Sequence, residues 1–185
     1  TGFDMHPHDN MEIISYIVDG EITHKDSMGN SETLKRGEVQ YLSAGDGIYH
    51  SEKNESEEIL RLLQIWIIPP QKGLPRLYGS KRYTKEQRDN KFLNIVSSQD
   101  GNSDIKIYQD ENNLCIEFLD NGGGIKDEFI NRVFEPYFTT KHKSQGTGIG
   151  LYMSLQIVTK HLNGEISVKN DTFIENNIAY FGAKF

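Results

Sequence analysis

The chain has 185 residues, of which 36% are hydrophobic and 25% charged, values that exclude extensive disorder and fit one ordinary domain or two small ones. Acidic residues outnumber Lys and Arg by 27 to 20, and the formal net charge of −7 disfavours direct nucleic-acid binding, which needs a positive surface. Apolar runs such as 62–68 are too short to span a membrane, and the N-terminal segment lacks a signal-peptide pattern. The single Cys115 cannot form an internal disulfide, so we expect a cytoplasmic protein without membrane contact.

The first part of the chain predicts short β-strands separated by turns. Runs rich in β-branched and aromatic residues predict strands at 11–18, 21–24, 33–34, 39–42 and 60–68. Many short strands at near-regular spacing are typical of a sandwich or barrel. From 69 to 90, prolines and alternating charges predict an irregular connection with one short helix from Thr84. Its basic residues predict a solvated surface, and they are Lys81, Arg82, Lys85 and Arg88.

The rest of the chain alternates between strand and helix signals. Strands are predicted at 92–96, 105–108 and 114–119, and the last two could form a hairpin across 110–113. Helices are predicted at 126–133 and 150–161, and a final hairpin is predicted from 165–168 and 180–185. The predicted secondary structure therefore differs between the two parts of the chain, mainly β in the first and mixed α and β in the second.

Two pairs of potential metal ligands occur in the first half, each with a spacing of two residues. His6 and His8 form one pair, and His50 and Glu52 form the other. Because residues i and i+2 of a strand point to the same face, each pair can reach one point. Pairs on facing strands supply three nitrogens and one carboxylate, a set that suits Fe(II), Mn, Ni, Cu or Zn. The alternative is that these are unrelated surface or core side chains; His24, without a partner at i±2, is interpreted as structural or exposed.

The residues around these pairs carry a family resemblance. The matching segments are HPHDNMEIISY (6–16), DG (19–20), HKDSMGN (24–30), GEVQ (37–40), SAG (43–45), GIYHSE (47–52), LQIW (63–66) and IKIYQD (105–110). Over about residues 1–110, the chain resembles the pirin family. This resemblance implies a bicupin β-barrel whose N-terminal barrel holds one metal ion, usually iron, at the positions of His6, His8, His50 and Glu52.

Pirin-like proteins include quercetin 2,3-dioxygenases and redox-sensitive regulators. The resemblance therefore implies Fe(II) or another divalent transition metal, with a small-molecule substrate or a protein partner. In a dioxygenase, substrate and O₂ would meet at an open metal position while the Glu52 carboxylate takes a proton from a flavonol hydroxyl. Cupins in general use the Glu four residues after the second His, so Glu12 is a reserve ligand. Family members have strands before the position of His6 and a second barrel after Asp110, so we expect an incomplete barrel that a homo-oligomer could close.

Three ordered motifs occupy the second half of the chain. The loop from Asp120 to Gly124 follows a strand and precedes a helix, and its glycines would let backbone amides approach phosphates. The Asp120 carboxylate could accept a hydrogen bond from an adenine amino group, although one such loop alone could be a plain turn. Together with FEPYF (134–138) and GTGIG (146–150), the loop resembles the ATP-binding (Bergerat) domain of histidine kinases and related ATPases, over about residues 111–185.

This second resemblance implies a set of nucleotide-binding positions, which are Asp120, Gly122, Gly124, Gly146, Gly148 and Gly150. The family's preceding helix, whose Asn holds Mg²⁺ and phosphate, has no counterpart before Asp120, and a dimerisation helix with a phosphoacceptor His is also missing. Because phosphoryl transfer depends on metal-bridged phosphates, we expect weak ATP binding and no kinase turnover. Lys141, His142 and Lys143 could contact phosphates, or they could belong to a solvated lid loop.

These observations predict an α+β chain that joins two families. Residues 1–110 would form an incomplete cupin β-barrel or sandwich, and residues 111–185 a partial Bergerat α/β sandwich that lacks the Asn-bearing helix. The favoured function is a pirin-like metal-binding cupin that acts as a quercetin 2,3-dioxygenase or a metal-dependent regulator. The alternatives are a nucleotide-binding remnant of a sensor histidine kinase and a folded chimera with no active site, of natural, engineered or artefactual origin.

Overall fold

A computed structural model describes residues 1–69, 71–88, 91, 93–97, 103–109, 113–141, 147–175 and 178–185. The chain divides into two compact units, Thr1–Asp89 and Asn90–Phe185. The family boundary predicted at residue 110 concerns sequence relationship and stays a prediction. The described residues are mostly in β-sheets with few helices, and no helix among them is long and apolar enough to cross a membrane.

Among its described residues, the first unit contains eight strands and one short helix. They are β1 (Gly2–His8), β2 (Glu12–Asp19), β3 (Glu21–Asp26), β4 (Ser31–Lys35), β5 (Glu38–Ser43), β6 (Ile48–Lys53), β7 (Arg61–Ile67), β8 (Leu77–Arg82) and α1 (Lys85–Arg88). The strands form two four-stranded sheets, ordered β1-β6-β3-β4 and β7-β2-β5-β8, and every described pairing is antiparallel. This architecture agrees with the predicted sandwich.

Two buried apolar clusters join the sheets of the first unit. Ile13 of β2 and Leu42 of β5 pack with Ile48 of β6, which belongs to the opposite sheet. In the second cluster, Ile17 of β2 packs with Ile22 of β3 and with Leu34 of β4. Along β4, the buried Leu34 lies between exposed neighbours, which is the pattern expected for a strand with one buried face, whereas β2 is buried continuously from Ile13 to Ile17. The core therefore fixes which face of β6 points into the sandwich.

Residues 77–88 are more regular than the sequence predicts for this part of the connection between the strands. Strand β8 pairs with β5 from Glu38↔Arg82 to Ser43↔Leu77, where an irregular connection was expected. Its side chains are mostly exposed, so β8 has no apolar alternation and its pairing depends on a distant partner strand. The predicted short helix is present as α1. Lys81, Arg82 and Lys85 are exposed as predicted, but Arg88 is partly buried, because its guanidinium lies against Gly37 in a turn with φ 81°.

In the described part of the second unit, the strands form a five-stranded antiparallel sheet ordered β12-β13-β11-β10-β9. Its elements are β9 (Leu93–Ser97), β10 (Ser103–Gln109), β11 (Leu114–Asp120), α2 (Asp127–Ile130), α3 (Gly150–Gln156) with a π-helical turn Ile157–His161, β12 (Lys169–Glu175) and β13 (Ile178–Lys184). Strands β10 and β11 pair from Ser103↔Asp120 to Gln109↔Leu114, as the predicted hairpin requires. The partial Bergerat sandwich predicted for this half remains a prediction.

Two elements of the second unit differ from their predicted bounds. Helix α2 ends at Ile130, and turns follow it where the sequence predicted helix as far as 133. A final hairpin is present, but the first strand predicted at 165–168 is wrong, because β12 begins only at Lys169. The register explains this difference, because Lys169 pairs with Lys184 at the very end of β13, so earlier residues find no partner on that strand. The helix predicted from 150 to 161 is present as α3 and its π-helical turn.

Candidate metal centre

Strands β1 and β6 bring the two predicted ligand pairs side by side. His6 lies directly opposite His50, and His8 lies opposite Ile48. An irregularity in the pairing between Phe3 and His6 separates these positions from Glu52, which lies opposite Phe3. Because side chains alternate along a strand, His6 and His8 share one face of the sheet, and His50 lies on that face beside them.

Three imidazoles consequently form a compact group. The His6 ring centroid lies 4.4 Å from that of His50 and 5.0 Å from that of His8, and His8 and His50 are also separated by 5.0 Å. One ring nitrogen from each side chain lies within 4.8 Å of the others. Nitrogens at these separations could bind one divalent transition metal, since imidazole suits Zn, Cu, Fe and Ni.

His50 lies at the centre of the group, and its surroundings are unusual. The side chain is 0% exposed, yet both ring nitrogens are without a hydrogen-bond partner among the described residues. A buried polar group without a partner costs roughly 1–3 kcal/mol, so such groups are rare in folded proteins and mark sites that bind an ion or a water. The donor set at His50 therefore fits a metal ion.

The protonation of the imidazoles favours the same reading. Burial, together with the positive potential that His6 and His8 would contribute, lowers the pKa of His50 to about 3. Burial and then His6 also lower the pKa of His8 below its usual value of 6.5. At neutral pH both rings are therefore neutral, and neutral imidazole is the form that binds metals.

A backbone contact fixes the tautomer of His6. Its Nδ1 lies 2.7 Å from the carbonyl oxygen of Asp4, and a carbonyl can only accept, so Nδ1 carries the hydrogen. The Nε2 atom then keeps its lone pair. Metal-binding histidines usually donate their second ring nitrogen to a carbonyl or carboxylate in this way, which orients the ring. His6 is therefore prepared to bind an ion through Nε2.

Glu52 is buried beside the three imidazoles but faces a different partner. It is 4% exposed, and one of its oxygens lies within 4.8 Å of ring nitrogens of both His50 and His24, a second group that could hold a metal. The amide nitrogen of Gln64 on β7 donates to both Glu52 oxygens at 2.9 Å. The structure thus brings His6, His8 and His50 into one group, whereas Glu52 joins His50 in the other.

The second group is less suited to a metal because both nitrogens of His24 have partners. The Gln40 amide donates to Nδ1 at 3.3 Å, and Nε2 donates to the Asp26 carboxylate at 3.1 Å. The ring also stacks on Tyr78 with centroids 4.7 Å apart. The structural interpretation of His24 therefore fits, while the exposed alternative is wrong, because the side chain is fully buried. Its contact with Asp26 at i+2 was the missed signal.

The reserve ligand Glu12 is committed elsewhere. Its carboxylate accepts hydrogen bonds from the Tyr41 hydroxyl and, at 2.9 Å, from the Ser43 hydroxyl. Burial and this carboxylate together raise the pKa of Tyr41 to about 12. Glu12 lies in neither of the two metal-compatible groups found among the described residues. The structure therefore gives Glu12 a structural role in the β2–β5 pairing.

Two residues of the LQIW segment complete the surroundings of the centre. The Trp66 indole nitrogen donates to the Gln64 side-chain oxygen at 2.9 Å, and its ring packs edge-on against His8 at 5.1 Å. A cavity of about 560 Å³ lies beside them, with Glu52 and Gln64 among its lining residues and with apolar walls that include Phe3. The i, i+2 spacing of Gln64 and Trp66 on a strand would have indicated their shared face.

The glycine motifs of the second unit are only partly described. Asp120 ends β11, and its carboxylate accepts from the backbone N–H groups of Gly122 and Ala183 at 2.9 and 3.1 Å. Gly124 has a φ of 77°, and Gly148 lies against the backbone of Phe138 with a φ of 68°. Gly150 begins α3, while Gly146, His142 and Lys143 lie outside the described residues.

Comparison with family models supports both resemblances. Residues 1–67 match the Pirin family, and residues 89–179 match the family of histidine kinase-, DNA gyrase B- and HSP90-like ATPases. The pirin resemblance at the N-terminus is therefore confirmed, and the second match is to this broad ATPase family; both matched ranges differ from the predicted 1–110 and 111–185.

Individual relatives are similar to part of the chain. The quercetin 2,3-dioxygenase of Escherichia coli K12 is 44% identical over 110 residues, which are 59% of this chain and 46% of that protein. A pirin-like protein of Caulobacter vibrioides is 45% identical over 104 residues, 56% of this chain and 45% of the relative. The chain thus spans less than half the length of these relatives.

Solved structures agree with the fold of this part. The crystal structure of YhhW from Escherichia coli is 37% identical and superposes with a TM-score of 0.52, covering 58% of this chain and 49% of that one. The bacterial pirin YhhW in complex with nickel(II) is 36% identical, with a TM-score of 0.51 over 58% and 48% of the two chains.

Proposed function

We propose that the first unit is a cupin module of the pirin type that binds one divalent transition metal. The observation that carries this proposal is the fully buried His50, whose unpartnered nitrogens lie beside His6 and His8. Nickel(II) in the similar Escherichia coli pirin supports a divalent metal for this chain. Iron, which the resemblance implies, remains part of the proposal.

Four side chains would hold the ion in this proposal. His6, His8 and His50 would supply imidazole nitrogens, and Glu52 would supply an exchangeable carboxylate. When bound, the metal would supply an open position at which a substrate oxygen and O₂ can meet. The chain itself contributes the tautomer of His6, set by the Asp4 carbonyl, and the full burial of His50, which excludes water from its ring.

The activity we propose is oxidation of a flavonol by O₂, as in the quercetin 2,3-dioxygenases to which the chain is similar. The half-open cavity of about 560 Å³ is within the size range of small-molecule sites, and it adjoins the centre through Glu52 and Gln64, while the three histidines do not line it. Glu52 lines this cavity and would accept the proton of the substrate hydroxyl. The alternative is a metal-dependent regulatory role, in which the same centre would bind metal without consuming O₂.

A calorimetric titration with nickel(II) tests the metal proposal. The metal-free chain is expected to bind one ion, and the His50→Ala chain is expected to bind none while keeping its far-ultraviolet circular dichroism. A wild-type chain that takes up no metal at neutral pH would end the proposal. Consumption of O₂ in the presence of quercetin then separates the dioxygenase from the regulator.

A second candidate function is weak nucleotide binding by the second unit, favoured by the ATPase family match over residues 89–179. We propose that Asp120 reads the adenine amino group through the carboxylate that Gly122 and Ala183 orient. Calorimetry with ATP and Mg²⁺ tests this idea against Asp120→Asn as the matched variant. Absence of heat from the unmodified chain contradicts it, and kinase turnover is not expected.

We also propose how the two family segments are organised. A partial Bergerat sandwich would occupy residues 111–185, after a cupin segment that ends near residue 110. Strands β1 and β7 are terminal in their sheets among the described residues, so a second copy of the chain could pair with them. Size-exclusion chromatography with light scattering would reveal such a homo-oligomer.

A further inference from the structure

Gln64 has a set of contacts that no other residue of the metal centre shares. Its amide nitrogen lies 2.9 Å from Oε1 and 2.9 Å from Oε2 of Glu52, and 3.2 Å from the Ser15 hydroxyl oxygen. Its amide oxygen accepts from the Trp66 indole, which has a donor and no acceptor. Because Trp66 can only donate, the amide oxygen of Gln64 must face the indole, and the amide nitrogen therefore faces Glu52.

The equal distances locate the amide nitrogen in front of the carboxylate. A cation that binds both oxygens of a carboxylate takes this same position, between them and at equal distance from each. The Gln64 N–H groups therefore compete with a metal for Glu52. The grouping of the potential ligands agrees with this competition, since Glu52 is grouped with His50 and His24 and not with His6 and His8.

We propose that Gln64 is a positioning residue that keeps Glu52 as an exchangeable ligand, held by the amide until a metal or substrate draws it away. This inference rests on the proposed metal-binding function. In it, three imidazoles hold the ion permanently, and Glu52 alternates between the ion and Gln64. The carboxylate is thereby available to accept a proton, a role that a permanently bound ligand could not fill as readily.

The energetic consequence is a metal affinity below its maximum. A hydrogen bond to a charged group contributes more than a neutral one, and it must be broken before Glu52 can bind the ion. Removal of the amide should therefore tighten metal binding by roughly tenfold or more. A purely supporting hydrogen bond behaves in the opposite way, because loss of an outer partner typically weakens metal binding by about 10–100-fold.

Cobalt(II) titration of the full chain, followed by its visible absorption, tests this inference. Gln64→Met, which keeps the length of the side chain, should bind cobalt(II) about tenfold more tightly, and the added Glu52→Gln change should abolish the gain. Glu12→Gln serves as the control, since that carboxylate is held by the Tyr41 and Ser43 hydroxyls, contacts neither Gln64 nor Glu52 among the described hydrogen bonds, and should not tighten binding.

The outcomes separate this inference from the function on which it rests. Failure of the wild-type chain to bind cobalt(II) would contradict the metal site itself. Wild-type binding with unchanged or weaker affinity in Gln64→Met would overturn the role of Gln64 alone. If Gln64→Met does not fold, as judged by circular dichroism, Gln64→Leu carries the same test, with the same tightening expected and the same outcome overturning the idea.

Discussion

Replacing His50 by leucine should stabilise the metal-free protein while abolishing metal binding. The buried imidazole carries one N–H donor and one lone pair, and both ring nitrogens are without partners among the described residues. An unsatisfied buried polar group costs about 1–3 kcal/mol, whereas leucine fills a similar volume with no polar atom. His50→Leu should therefore raise the free energy of unfolding in the presence of a chelator by about 1–3 kcal/mol.

Metal should reverse this ranking. At a free metal concentration one thousand times its dissociation constant, an ion that binds the folded state alone adds about 4.1 kcal/mol to the wild-type protein, more than the gain expected from leucine, and it should add nothing to His50→Leu.

Urea unfolding followed by Trp66 fluorescence measures both effects, because Trp66 is the single tryptophan and lies in the first unit. His50→Ala is the control, because it also removes the imidazole but leaves a cavity in its place. His50→Lys is unsuitable, because it would bury a charge. A His50→Leu protein that is less stable than wild type in chelator would refute the reasoning, since it would show that His50 is satisfied in the folded state.

Three further predictions concern the surroundings of the centre. Glu52→Gln should weaken nickel(II) binding by about tenfold. Glu12→Gln should leave binding unchanged, because two hydroxyl groups hold that carboxylate. Equal losses of affinity in calorimetry would contradict the assignment of Glu52 as a ligand. Burial opposes the ionisation of Asp26, but hydrogen bonds from Asn30, His24 and Met28 lower its pKa below 3.8. The ionised carboxylate therefore stabilises the fold above about pH 4, and this contribution disappears as the pH falls. Acid unfolding should depend less steeply on pH in Asp26→Asn, and an identical profile in the two proteins would contradict this. The Trp66 ring lies 5.1 Å from that of His8, so copper(II) bound at the centre should quench Trp66 fluorescence. We expect this quenching in the wild-type chain and not in His50→Leu.

Much of the centre could be predicted because strand alternation is a local property. The i, i+2 spacing of His6 and His8 was enough to place both rings on one face, and the second pair followed from the same rule. What the spacing could not show is which residues stand opposite each other. The irregular pairing between Phe3 and His6 is a property of two strands together, and it separates Glu52 from the first histidine pair.

The residues missed from the sequence are those defined by partners far along the chain. Gln64 acquires its role through Glu52, twelve residues earlier, and through the register of β7 against β2. His24 has Gln40 of the opposite sheet as a partner, and the local sequence around His24 does not indicate this contact. Strand β8 was not predicted for the same reason. Its side chains show no apolar alternation, and its extended conformation depends on pairing with β5.

X-ray absorption at the zinc edge of the zinc-loaded chain tests the metal centre most directly, because it identifies and counts the atoms bound to the ion. We expect three imidazole nitrogens at about 2.0–2.1 Å, a distance typical of zinc–histidine bonds, with the remaining positions filled by oxygen. His50→Leu should lose this histidine signature. A spectrum with oxygen ligands alone, or one unaltered by the substitution, would contradict a centre built on His6, His8 and His50.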